Sequence, residues 1–190
     1  ARFLLCLLLL LPAIAMARPA LWVVKNADTT VYLFGTVHLL PNDTAWRSPA
    51  LEKALADSQT LYIELTDDNQ ASMASLVLQY GLDPAHPLGG MLDPTELQQL
   101  KSAADQAGVP GGMQTLGMMR PWLAALTLAT APLLKAGLDP QHGVDKQLKA
   151  QMLAGGKPVL GLETAEQQIR LLADMPQTMQ LDCLRSTLHD

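Results

Sequence analysis

Apolar segments with strand character alternate with helical segments along this sequence, and that alternation limits the fold more than any other feature. The strand-like segments are 21–24, 30–35, 61–65 and 157–162. The helical segments, most of them opened by a capping residue or closed by glycine, are 48–57, 67–80, 93–108, 121–135, 139–154, 164–174 and 179–188. Strands separated by a majority of helices predict an α/β or α+β fold. We favour α+β, a helix-rich domain with a central sheet.

The first seventeen residues have the layout of a targeting signal rather than of a folded element. Arg2 precedes an unbroken apolar run, and a small-x-small sequence ending at Ala17 follows it. This pattern is typical of a secretory signal peptide, and the run is too short for a membrane-spanning helix, which needs about 20 residues. We therefore expect a signal peptide at 1–17, a folded domain at 18–190, a periplasmic or secreted location in a bacterium, and no stable membrane anchor after cleavage. The alternative is an uncleaved anchor.

The composition predicts a packed core and argues against nucleic acid as a binding partner. Apolar residues make up 49% of the chain, which is enough to build a packed core. The formal net charge is −5, whereas binding to nucleic acid phosphates needs a basic surface. We therefore expect no nucleic-acid partner.

One histidine follows a predicted strand closely enough to suggest chemistry. The strand at 30–35 ends in Gly35, and His38 comes three residues later in a GxxH arrangement. Functional groups often lie just past strand ends in folds with helices and strands, and His is the usual metal ligand and proton carrier near neutral pH. The alternative is a His that only satisfies a loop or a buried carbonyl.

The other candidate functional side chains are two carboxylates and one guanidinium. Glu64 stands among apolar residues in a short strand, where a buried carboxylate would need a partner or a metal; the alternative is an exposed Glu on an edge strand. Glu163 closes the strand at 157–162, and its alternative role is to interact with a helix dipole. Arg120 precedes a buried helix and could pair with an anion, or lie on the surface. Asp145 falls inside a predicted helix, where facing solvent is the simplest interpretation.

Several sequence pieces occur together in one order. They are Leu21-Trp22, the run YLFGTVHL at 32–39, Tyr62-Ile63-Glu64-Leu65, Arg120-Pro121-Trp122, Gly143-Val144-Asp145, and Gly161-Leu162-Glu163-Thr164 with Glu166-Gln167. This series resembles the TraB/GumN family, which includes the Tiki metalloproteases, over nearly all of the chain after residue 17. Erythromycin esterases and the haem-uptake ChaN-like proteins are distant relatives, so the resemblance implies an EreA/ChaN-like α+β fold.

The resemblance also implies a site. In the family, two GxxH motifs and a strand Glu line one site; here Gly35 and His38 match the first motif, and Glu64 matches the Glu. The chain contains no other GxxH, and the family domain usually continues for roughly a hundred residues. We therefore expect 18–190 to be an incomplete domain, truncated at its C-terminus.

An exported, metal-dependent, peptidase-like hydrolase is the implied function. His38 and Glu64 would hold a divalent metal such as manganese or cobalt, only weakly in this chain because catalytic sites normally have three protein ligands. Glu64 or Glu163 would act as general base, Arg120 would stabilise a developing oxyanion, and the substrate would be a peptide or a small molecule. The alternatives are a non-catalytic periplasmic binding protein for a peptide or a haem-like ligand, and an inactive fragment.

Overall fold

The computed structural model describes residues 19–189, and the predicted signal peptide therefore lies outside the described residues. The strands are β1 Leu21–Lys25, β2 Thr30–Phe34, β3 Leu61–Ile63 and β4 Val159–Gly161. The helices are α1 Pro49–Asp57, α2 Gln70–Gly81, α3 Pro94–Ala107, α4 Gly112–Gly117, α5 Pro121–Lys135, α6 Val144–Ala154, α7 Ala165–Ala173 and α8 Gln177–His189, with single 3-10 turns at Leu88–Gly90 and Pro140–His142. This helix-rich α+β class confirms the predicted one, while the kinship with EreA and ChaN-like proteins and the truncation stay predictions.

The smaller of two compact units contains a β-hairpin. Its described part is residues 19–36 and 45–57. β1 and β2 pair antiparallel, with Leu21 opposite Phe34, and the side chain of Asn26 accepts hydrogen bonds from two backbone N–H groups of the turn. The Ser48 hydroxyl accepts from the backbone N–H of Leu51 and so caps α1, as predicted.

The larger unit comprises 37–44 and everything described from Ser58 onward. The predicted helices that start at 93 and 164 both open with a capping box, at Asp93 before α3 and at Thr164 before α7. Its main core lies among α3, α4, α5 and α8, where Leu100, Leu116 and Leu184 have no exposed surface. In the described part of the chain, no helix has the length and apolar character needed to cross a membrane.

The prediction of one central sheet is wrong for residues 19–189. The four strands form two separate sheets of two strands each, β1 with β2 and β3 with β4. The pair β3–β4 is parallel, with Leu61 opposite Val159 and Ile63 opposite Gly161. The local strand patterns were sound, but pairing between strands is set by contacts between distant segments, which a strand pattern does not contain.

Candidate functional site

Two carboxylates lie together because β3 and β4 run parallel and end at the same edge. Glu64 directly follows β3, and Glu163 comes two residues after β4. The pairing extends past both strands, since the backbone N–H of Glu163 donates to the carbonyl of Glu64 at 3.1 Å. Side chains at the carboxyl ends of parallel strands are commonly functional, and both of these residues were predicted from the sequence.

The side chain of Gln168 joins the two carboxylates. Its Nε2 donates to Glu64 Oε2 at 3.1 Å and to Glu163 Oε1 at 3.2 Å. The Thr164 cap starts α7 directly after Glu163 and so places Gln168 one turn into the helix, facing back toward the strand ends. No sequence pattern pointed to Gln168, because an amide within a helix has no motif that marks it as functional.

His38 lies between Glu64 and Asp145, one on each ring nitrogen. Its Nε2 is 3.6 Å from Glu64 Oε2, and its Nδ1 is 2.5 Å from Asp145 Oδ2. The first distance is longer than a hydrogen bond, and the second is within hydrogen-bonding reach. The side chains of His38 and Glu64 are 66% and 54% exposed, so Glu64 is not the buried carboxylate that the sequence left open.

The segment that carries His38 is fixed by backbone contacts on both sides of that residue. The N–H of Val144 donates to the carbonyl of Val37 at 2.9 Å, and the N–H of Asp139 donates to the carbonyl of Leu40 at 3.0 Å. These two bonds bracket His38 and tie it to the chain that leads into α6.

Asp145 reaches His38 because the predicted helix 139–154 is interrupted. A 3-10 turn covers Pro140–His142, Gly143 has the non-helical angles φ −52° and ψ 142°, and α6 begins only at Val144. Gly143 packs so tightly on His38 that an added Cβ would lie 2.6 Å from the His38 carbonyl oxygen. Asp145 therefore lies in the first turn of α6, 20% exposed and in contact with His38. The interpretation of Asp145 as a solvent-facing residue inside a helix is wrong.

His38 and Glu64 are placed to supply some, but not all, of the ligands of a divalent metal ion. Two ligand atoms that bind one ion at about 2.0–2.2 Å lie roughly 3–4 Å apart, and the separation of His38 Nε2 from Glu64 Oε2 falls in that range. Asp145 contacts the opposite nitrogen of the ring and cannot share that ion. Within residues 19–189, no group of three or more His, Cys, Asp or Glu side chains is arranged to hold a metal. His38 and Glu64 thus supply two of the three ligands that catalytic sites usually have.

Arg120 is engaged at a different place in the unit. Its guanidinium donates from Nη1 to the carbonyl of Tyr80 at 3.1 Å and from Nη2 to the carbonyl of Ala173 at 2.7 Å. These carbonyls lie at the C-terminal ends of α2 and α7, where helix carbonyls lack partners within the helix. The contacts give Arg120 a structural role; its predicted catalytic role stays a prediction without support from them.

A second acidic pair steadies the loop that follows Glu64. Asp67 accepts from the backbone N–H of Ala165 through both carboxylate oxygens, at 3.1 and 3.2 Å, and Lys149 Nζ lies 2.7 Å from Asp68 Oδ1. Partial burial would raise the pKa of the Asp68 carboxyl, but the hydrogen bond and charge of Lys149 outweigh burial and hold that pKa below its ordinary value. The loop between β3 and α2 is thereby tied to α7 and α6.

An open groove of about 670 Å³ begins at Glu163. Its wall is mainly apolar, from Leu162, Leu171 and Met175, and an ion pair between Arg170 and Asp174 lies along it. Leu162 and Leu171 are 71% and 69% exposed. The two leucines thus place exposed apolar surface beside the polar side chains of the groove.

The family is established by comparison with known proteins. The chain belongs to the TraB/PrgY/gumN family, whose model matches residues 20–190, and this confirms the resemblance found in the sequence. The uncharacterized protein YbaP of Escherichia coli (strain K12) is 26% identical over 159 residues, or 83% of this chain and 57% of that protein. YbaP of Shigella flexneri shows the same identity and coverage.

An uncharacterized protein of Treponema pallidum (strain Nichols) is 23% identical over 205 residues, or 97% of this chain and 60% of that protein. No solved structure matches the chain significantly. The chain spans 57–60% of the length of these three curated relatives, none of which has a described activity.

Proposed function

We propose that this chain carries part of the active site of an exported, metal-dependent hydrolase with peptide-like substrates. The observation that supports the proposal is the approach of His38 Nε2 to Glu64 Oε2 at 3.6 Å, made by two segments far apart in the chain. The proposed location, the periplasm or the cell exterior, rests on the signal-peptide pattern of residues 1–17.

Each side chain of the site has a separate proposed task. His38 and Glu64 would hold a divalent ion such as manganese or cobalt, which when bound polarises a carbonyl and lowers the pKa of a water molecule. Glu163 is then the candidate general base, because Gln168 holds its carboxylate next to that of Glu64. The hydrogen bond from Gln168 keeps the two acidic groups in fixed positions despite their mutual repulsion.

The groove beside Glu163 supports a substrate with an apolar side chain. Leu162 and Leu171 offer exposed apolar surface directly next to the proposed base. Burial of a leucine-sized side chain there would contribute about 1.5–3 kcal/mol to binding. A peptide bond flanked by such a residue would lie with its carbonyl near Glu163.

Metal binding by this chain tests the ligand assignment. Equilibrium dialysis against Co²⁺ would be compared for the unmodified chain, His38→Ala, Glu64→Gln and the control His86→Ala. Like His38, His86 is an exposed histidine with a carboxylate near Nδ1, that of Asp83 at 3.0 Å, and it therefore controls for a surface histidine beside one acidic group. We expect one weakly bound Co²⁺ per chain, lost in the first two variants and retained in the control. Equal binding by all four proteins would refute the assignment.

Hydrolysis is tested in a complete relative, YbaP of Escherichia coli. A mixture of quenched fluorescent peptides would be incubated with YbaP, with chelator, and with chelator followed by excess Mn²⁺ or Co²⁺. Cleavage that stops on chelation and returns with metal supports the proposal. Cleavage that chelator leaves unchanged would replace it with a metal-free mechanism, and tight peptide or haem binding without cleavage would replace it with a binding protein.

A further inference from the structure

The contact between Asp145 and His38 assigns Asp145 a role that the sequence did not indicate. We propose that Asp145 is a positioning residue, which fixes the ring of His38 and its tautomer so that the Nε2 lone pair faces Glu64. The inference rests on the proposed function only in taking Nε2 as the atom of His38 that binds the metal. Its basis is the placement of one carboxylate at each ring nitrogen, 2.5 Å from Nδ1 and 3.6 Å from Nε2.

Asp145 is the better fixed member of the pair. It is 20% exposed, whereas His38 is 66% exposed. Asp145 also lies in the first turn of α6, where free backbone N–H groups and the helix dipole favour a negative charge. The preceding residue, Val144, is bonded to the carbonyl of Val37, one residue before His38. The carboxylate therefore approaches the ring from a backbone that is already joined to the segment of His38.

This arrangement selects one of the two neutral forms of the imidazole. An ionised carboxylate can only accept a hydrogen bond. Nδ1 lies 2.5 Å from Asp145 Oδ2, whereas Nε2 lies 3.6 Å from Glu64 Oε2, beyond hydrogen-bonding reach. We therefore place the proton of the neutral ring on Nδ1. Nε2 is then left with a lone pair, the form required of a metal ligand or a base. Histidine ligands in metal proteins commonly donate their second N–H to a carboxylate in this way, and loss of that partner typically weakens metal binding about 10- to 100-fold.

Ring nitrogen NMR reads the tautomer directly, without metal or substrate. The chain has four histidines, and His38 would be assigned by its disappearance in His38→Gln. At a pH of about 8.5, where an ordinary imidazole is neutral, we expect the proton of His38 on Nδ1 in the unmodified chain. In Asp145→Ala we expect at least half of the His38 population to carry it on Nε2, and Co²⁺ binding to weaken about 10- to 100-fold.

Two further variants separate positioning from general damage. Asp83→Ala removes a carboxylate from Nδ1 of His86, and should leave the His38 tautomer and Co²⁺ binding unchanged. If Asp145→Ala does not fold, as judged by circular dichroism, Asp145→Asn takes its place; its amide can either donate or accept, so we again expect a mixture of tautomers at His38.

The outcomes of these measurements are distinct from those that test the proposed function. An unchanged His38 tautomer in a folded Asp145 variant overturns the positioning role, whatever the protein does with metal. A shifted tautomer supports it, even if Co²⁺ binds nowhere and the metal assignment of His38 fails. A shifted tautomer together with Co²⁺ affinity that stays within twofold would overturn the link between positioning and metal binding.

Discussion

The close packing of Gly143 on His38 makes Gly143→Ala the most informative single substitution. The backbone angles at Gly143, φ −52° and ψ 142°, are open to any residue, so alanine would cause no conformational strain there. Its Cβ would lie 2.6 Å from the His38 carbonyl oxygen, and 3.2 Å from both the His38 carbonyl carbon and the Pro140 oxygen. These neighbours are backbone atoms, which cannot rotate away as a side chain would.

The size of the effect follows from these distances. An ordinary Cβ contact begins at 3.4 Å, so the two segments must separate by about 0.8 Å. Overpacking of this kind costs about 1–3 kcal/mol, and weakening of the bond from Val144 to Val37 costs about 1 kcal/mol more. The reduced flexibility of the unfolded chain offsets about 0.4–1 kcal/mol. We expect Gly143→Ala to lower the free energy of unfolding by about 2 kcal/mol.

Urea unfolding followed by circular dichroism measures this change. With a urea dependence of about 2 kcal/mol per molar, the midpoint should fall by roughly 1 M. Gly117→Ala is the matched control, because a Cβ at Gly117 meets nothing within 4 Å; it should leave stability unchanged or raise it by up to about 1 kcal/mol. A midpoint for Gly143→Ala within 0.2 M (about 0.4 kcal/mol) of the unmodified chain would refute the argument.

Two predictions concern the ties around the site. Lys149→Met should lower the free energy of unfolding by about 1–2 kcal/mol at neutral pH. Lys149 holds the pKa of Asp68 below its ordinary value. The stabilisation by this ion pair is therefore present above the unfolded carboxyl pKa of about 3.9, and it is lost as the pH falls through the lower pKa of the folded state. Urea titrations at pH 7 and pH 3 check it, and an equal deficit at both would contradict it. Arg120→Met should cost about 1–3 kcal/mol, because the carbonyls of Tyr80 and Ala173 each lose a charged donor and keep only a neutral one, from Trp122 and Gln180 respectively. It should leave the His38 tautomer unchanged; unchanged stability would argue instead for the catalytic role predicted from the sequence.

Local rules of sequence predicted the helix starts well. The Asp93 and Thr164 capping boxes and the Ser48 cap are all present, because each depends on residues within one turn of the helix. The short helix α4 had no such pattern, since it follows Gly111 and begins at Gly112, and no helix was predicted between 108 and 121. The pairing of β3 with β4 also lay beyond local rules, because it joins residues about a hundred positions apart.

The site itself shows where a one-dimensional pattern stops being informative. Glu64 and Glu163 were found because they end strands, and His38 because it follows one, so position along the chain was a sufficient guide. Asp145 was missed because the sequence pattern predicts a continuous helix across Gly143, whereas the helix is interrupted there and Gly143 packs against the His38 backbone. That break moves Asp145 from mid-helix to a helix start and brings it to the ring. The close approach of Gly143 to the His38 backbone and the carboxylate of Asp145 thus belong to one short segment of the chain.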